Sequence, residues 1–263
     1  MTTPLNSRKG TQNLPEEIPS SQLGSTTSSS ETCAPDSGSS RRGFLRMTMS
    51  GTLAGLATAA GMDFAIPRSA LAQSKLTPDA ALQELMEGNR RFAANRSTAH
   101  EQDLAILKQN TIEKQEPFAA VLSCADSRVP VELIFDQSLG HIFVTRVAGN
   151  IVTPEIIASL EYGALVLGTK VILVIGHGNC GAVKATIQGK EVPGQISALF
   201  QHIQPAADLA GPNLEAATKA NAKIQAALLR QASTVISGLL KESKLKVLAA
   251  YYDVASGAVT LLE

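Results

Sequence analysis

The sequence predicts an α/β fold: a mostly parallel central β-sheet flanked by helices. Three observations predict it. The segment KVILVIGHG (170–178) is a continuous β-branched run of the kind buried on both faces of a parallel sheet. Strand-type and helix-type segments alternate from about residue 76 to the C-terminus, which favours parallel strands joined by crossovers. Two of the strand-type runs end in short polar turns carrying Cys or His, and in such sheets sites form at the carboxyl ends of strands.

The elements follow in order. Residues 1–38 are rich in Ser, Thr, Pro and Gly and carry too little apolar surface to offset the entropy of ordering, so they read as a disordered extension. Residues 39–72 read as a cleaved export signal. Arg41 and Arg42 are paired, a short apolar run of small residues follows, and Ala70-Leu71-Ala72 makes an Ala-x-Ala site with cleavage expected after Ala72. Arg-Arg-Gly-Phe-Leu resembles the twin-arginine export signal, which places the mature protein in the periplasm. The run is a weak membrane span, bounded by Asp63 and Pro67, so no stable membrane anchor is expected.

The folded domain is expected over 73–263. Thr77 and Pro78 open an amphipathic helix extending to about Arg96, with Ala81, Leu85, Met86 and Phe92 on one stripe. Strands are expected at 118–123, 141–150 and 170–178. A helix starting at Pro154 follows the second strand, and a short helix, GAVKATIQ, follows the third. A polar helical stretch covers about 213–241. The C-terminal LKVLAAYYDVASGAVTLLE reads as two strands joined around Ser256-Gly257.

Lys plus Arg and Asp plus Glu number 23 each, a formal net charge of zero. That argues against nucleic acid as a partner, because such binding needs a basic excess to displace counterions. The three cysteines, Cys33, Cys124 and Cys180, are too few and too unevenly placed for a disulfide framework. No Cys-x-x-Cys occurs, which disfavours a thioredoxin-like redox site.

The chemistry concentrates in two stretches. FAAVLSCADSRVP (118–130) ends a buried strand with Cys124, Asp126 and Arg128 at alternate positions, and HGNCGA (177–182) brings His177 and Cys180 to the end of another. Two cysteines and a histidine suit tetrahedral zinc. Gly176, Gly178 and Gly181 are read as giving the turn its backbone freedom. No fourth Cys or His is in place, since His141 precedes a strand and His100 and His202 lie in polar segments. The fourth position is therefore left to water or to Asp126. A water there is acidified to a pKa of about 7. Arg128 is placed to hold Asp126 ionised and aimed. Alone, each residue has an ordinary structural role. The two clusters together do not.

CADSRVP and GHGNCGA resemble the two signature segments of the β-class carbonic anhydrases, and the resemblance runs from about residue 76 to the C-terminus. It implies zinc bound by Cys124, His177 and Cys180, an Asp126–Arg128 dyad, and reversible hydration of carbon dioxide to bicarbonate and a proton. It implies an N-terminal helical arm for dimerisation and a homodimer or higher homo-oligomer with the site at the interface. Gln115 resembles a glutamine that hydrogen-bonds the metal-bound species and substrate in plant-type members. Gly181 resembles the glycine whose amide faces substrate. Val121 stands where bicarbonate-regulated members carry Trp, and it is assigned to the substrate wall. Arg146 and Tyr252 resemble the other two residues of that regulatory site, so the pattern is incomplete and an always-open zinc is expected. Two alternatives share the motifs: a carbonyl sulfide or carbon disulfide hydrolase, and a zinc-stabilised, non-catalytic assembly subunit.

Overall fold

The computed structural model describes residues 74–99 and 104–263. The segments expected to be a disordered extension and an export signal, with Cys33 and His100, lie outside them. No helix of the described residues is long and apolar enough to cross a membrane.

Five strands form one sheet: β1 (Ala119–Ser123), β2 (Ile142–Arg146), β3 (Val171–His177), β4 (Lys246–Tyr252) and β5 (Val259–Leu262). Their order is β2-β1-β3-β4-β5. The first four pair in parallel, and β5 closes against β4 in the antiparallel sense. Every residue of β1 and β3 is buried, as the unbroken apolar runs require for strands covered on both faces.

Alternation along these strands splits the core in two. Val121, Leu173 and Ile175 pack on one face with Leu85 and Phe135, under α1 (Pro78–Ala93) and α3 (Val131–Ile134). Leu122, Ile172 and Val174 pack on the other with Leu229 and Ile236. Burying one such side chain stabilises the fold by about 1.5–3 kcal/mol. A short helix, α2 (Leu104–Thr111), precedes β1.

α1 begins as expected, with Pro78 in its first turn and Thr77 Oγ1 accepting from the Ala80 amide at 3.2 Å. Its polar anchor is Asn89, 3% exposed. The Asn89 carboxamide donates to the carbonyls of Ile134 (3.1 Å) and Gly257 (2.9 Å) and accepts from the Val259 amide (2.8 Å). One side chain thus joins the helix, α3 and the last hairpin. Nearby, Asp136 accepts from Arg91 Nε (2.6 Å) and from the amides of Thr98 (2.8 Å) and Ala99 (2.9 Å).

Four expectations need correction. β2 stops at Arg146, and Ala148–Asn150 form a single 3-10 turn with Gly149 at φ 75° and Asn150 at φ 44°. The helix from Pro154, α4 (Pro154–Glu161), passes into a π turn over Tyr162–Val166, where Gly163 lets the backbone approach the Phe143 ring. The 213–241 stretch is two helices, α7 (Leu214–Ala232) and α8 (Thr234–Lys241). Ser233 breaks it by capping α8: its hydroxyl oxygen accepts from the Ile236 amide (3.0 Å) while its proton goes to Glu161 (2.6 Å). Between α5 (Gly181–Gln188) and α7, a 3-10 turn (Gly194–Leu199) and α6 (Phe200–Ala210) went unpredicted, because Pro205 inside α6 reads as a helix breaker.

Candidate metal centre

Parallel pairing brings the carboxyl ends of β1 to β4 to one edge of the sheet. Leu122 of β1 is level with Val174 of β3, so Cys124, just past β1, arrives beside the end of β3. That end is His177, and three residues on Cys180 forms the N-cap of α5. The turn between them carries Asn179 at φ 55°. The left-handed position therefore falls on Asn179, one of the few non-glycine residues that tolerate it, rather than on the three flanking glycines. Gly176 serves close packing instead: a Cβ there would stand 2.9 Å from the Thr218 methyl and 3.0 Å from its carbonyl oxygen on α7.

The ligand atoms of Cys124, His177 and Cys180 all lie within 4.8 Å of one another, and all three residues are buried. His177 Nδ1 is 3.0 Å from the Gly178 carbonyl oxygen. A carbonyl only accepts, so this contact assigns the ring proton to Nδ1 and leaves a lone pair on Nε2. Nε2 is buried with no hydrogen-bond partner. A buried ring nitrogen without a hydrogen-bond partner, on a residue grouped with two sulfurs, fits a cation. Two soft sulfurs and one imidazole form a zinc-type donor set.

The chain also prepares the sulfurs for negative charge. Gly149 donates its amide to Cys124 Sγ at 3.3 Å. The first turn of α5 directs the amides of Val183 and Ala182 at the Cys180 sulfur. A hydrogen bond from Cys180 pulls the Cys124 thiol down to about 4, against burial, which pushes it up. The same bond, and then burial, pushes Cys180 up.

Asp126 lies at the edge of this group, with Oδ2 3.9 Å from His177 Nε2. Arg128 grips both carboxylate oxygens, Nε to Oδ1 at 2.9 Å and Nη2 to Oδ2 at 2.8 Å, and its own amide donates to Oδ1 at 2.9 Å. This grip holds the Asp126 carboxyl well below the usual carboxylate range. Asp126, also considered as a metal ligand, has both oxygens engaged by arginine. Arg128 Nη2 further donates to the Asn179 carbonyl at 3.2 Å, tying the first motif to the second.

The other sequence candidates are placed unevenly. Gly181 is exposed at the start of α5, with no atom within 4 Å of where a Cβ would stand. Val121 is wholly buried in the core beneath α1. Gln115 is exposed in the loop before β1, at the opposite end of that strand from Cys124. Tyr252 is buried at the end of β4.

Arg146 has a position its motif alone did not convey. Its Nε donates to the Cys124 carbonyl (3.1 Å) and its Nη2 to the Asp126 carbonyl (2.5 Å), clamping the Cys-x-Asp turn from β2. Sequence reasoning missed Asn221 and Gln225 altogether. The buried face of α7 includes Ala217, Ala222, Ala226 and Leu229, and these two carboxamides sit within it. Their spacing of four on an otherwise small apolar stripe was the available signal.

The carbonic anhydrase family model matches residues 119–259. A carbonic anhydrase of Mycolicibacterium smegmatis is 33% identical over 194 residues, covering 70% of this chain and 93% of that protein. Carbonic anhydrase 2 of Mycobacterium tuberculosis is 43% identical over 110 residues, 42% of this chain and about half of that protein, at 53%. Among solved structures, the Coccomyxa β-carbonic anhydrase in complex with acetazolamide is similar at TM-score 0.54 and 27% identity, covering 69% of this chain and 86% of that one.

Proposed function

The chain belongs to the β-class carbonic anhydrase family, and from that premise we propose that Cys124, His177 and Cys180 hold zinc and that this centre hydrates carbon dioxide reversibly to bicarbonate and a proton. The observation that carries the metal assignment is His177 Nε2, buried without a hydrogen-bond partner on a residue grouped with two cysteine sulfurs within 4.8 Å. Bound there, zinc supplies a Lewis acid that makes water nucleophilic near neutral pH.

The remaining roles belong to the chain. Asp126 stays ionised under the Arg128 fork and accepts a hydrogen bond from the reacting water, which leaves a lone pair aimed at the carbon. Arg146 holds the backbone of both Cys124 and Asp126, so their separation does not drift. The Gly181 amide, at an open helix start, donates to an oxygen of the product. Gln115 lies at the wrong end of β1 to reach its own centre. Its proposed hydrogen bond to substrate therefore belongs to the centre of a second copy, and the working unit is a homo-oligomer.

Metal analysis of the purified protein with stopped-flow hydration across pH tests this reading. One zinc per chain with rapid hydration is expected. Stoichiometric zinc without hydration at any pH would support an assembly role instead, and a metal-free active protein would overturn the assignment. Export rests on Arg41-Arg42 and Ala70-Leu71-Ala72. A mature periplasmic N-terminus at Gln73 is expected, and recovery of only full-length cytoplasmic protein would oppose it.

A further inference from the structure

The 147–153 loop is held in place from outside. It carries two successive left-handed residues, Gly149 (φ 75°) and Asn150 (φ 44°). Such conformations persist where the surroundings over-determine them. Here the surroundings are α7 and α6. Asn221 Nδ2 donates to the Gly149 carbonyl at 2.8 Å, and Gln225 Oε1 accepts from the Val152 amide at 2.8 Å. Gln225 Nε2 in turn donates to Asn221 Oδ1 (3.2 Å) and to the His202 carbonyl on α6 (2.9 Å), which fixes both carboxamides. Asn221 is 0% and Gln225 1% exposed. Ile203 closes the remaining side, since a Cβ on Gly149 would stand 2.6 Å from its Cδ1.

The consequence lies at the metal group. Gly149, gripped at its carbonyl, is the residue whose amide donates to Cys124 Sγ. We propose that Asn221, steadied by Gln225, is a positioning residue for the metal centre, acting through the Gly149 amide to keep a hydrogen bond on the Cys124 sulfur. An N–H on a ligating sulfur draws off electron density and fixes the direction of its lone pairs, so its loss alters both the metal–sulfur bond and the ease of metal release. Outer partners of this kind change metal affinity by about 10–100-fold. The inference rests on the Cys124–His177–Cys180 reading of the site, and its test separates the two.

The full chain is loaded with cobalt(II), whose thiolate-to-metal charge-transfer band reports on sulfur donation. In Asn221→Leu, which is close in volume and has no donor, the band is expected to move to lower energy, and release of the metal to a chelator to quicken by about tenfold or more. If that variant does not fold, Asn221→Ala carries the same expectations. Leu229→Ala is the control, because it loosens the buried face of α7 two turns from Asn221 and removes no hydrogen bond to the loop. Its band is expected to stay at the wild-type position. A band and release rate unchanged in the folded Asn221 variant, or shifted equally by Leu229→Ala, overturns the inference while leaving the metal site intact. Failure of the wild-type chain to take up cobalt would instead overturn the reading of the site on which the inference depends.

Discussion

Cys124, His177 and Cys180 are at most 5% exposed, whereas the Arg128 side chain, which completes the same site, is 47% exposed and Asp126 is 18% exposed. The first group is dry. Its geometry comes from strand ends, a helix start and the loop amide of Gly149. The second is wet, held by the match of a guanidinium fork to a carboxylate. A pair this exposed adds little to folding. Its value is directional: Arg128 keeps one acceptor charged and still beside the dry group. On the proposed reading, the dry half would govern metal binding and the wet half turnover.

The largest effect should come from breaking the dry half. Cys180→Ser replaces a sulfur donor with a weakly acidic hydroxyl in a buried position. Metal content by elemental analysis should drop to background, and hydration activity should fall by well over about a hundredfold, since even outer partners alone cost up to that much. Asp126→Asn should split the two halves. It keeps the shape and loses the charge that Arg128 grips, so zinc should stay at wild-type occupancy and thermal stability should barely change. Turnover by stopped flow should fall about a hundredfold. Full activity in that variant would remove Asp126 from the mechanism.

Asn89 asks whether dryness alone makes a polar residue catalytically important. It is as buried as the ligands and makes three hydrogen bonds, but it lies on the α1 side of the core. Asn89→Leu leaves two carbonyls and one amide unpartnered, at about 1–3 kcal/mol for each buried group. A stability loss of about 3 kcal/mol or more by denaturant unfolding is expected, with turnover per folded molecule unchanged.

The same contrast explains what was legible in the sequence. Cys124, Asp126, Arg128, His177 and Cys180 could be read because their chemistry is scarce and sits where apolar runs stop. The central strands could be read because β1 and β3 are buried on both faces, which leaves runs without alternation. Asn221 and Gln225 were missed although their spacing of four was a signal, because a carboxamide in an Ala-rich helix has the same composition whether it faces solvent or a loop. β2 was drawn too long because nothing in Val-Ala-Gly-Asn says that α7 and α6 will bend it. Val121, assigned by its place in the motif, packs in the layer under α1.

Asp136 supplies the smallest and most pH-specific test, because it is a dry carboxylate with no metal beside it. Burial pushes its pKa up, but the Ala99 amide, Arg91 and the Thr98 amide together outweigh burial, and the carboxyl lies below its usual value. A carboxyl depressed in the folded state contributes stability that is fully present above the unfolded pKa of about 3.9 and is lost as pH falls through the folded value. The wild-type protein should therefore lose part of its stability below about pH 4 as Asp136 takes up a proton. Asp136→Asn removes that charge at every pH. It should lower stability at neutral pH, where the Arg91 pairing is lost, and flatten the fall below about pH 4. Urea unfolding midpoints measured for both proteins from neutral pH into that window check it, and a variant whose acid dependence stays as steep as wild type would place the acid-sensitive group elsewhere.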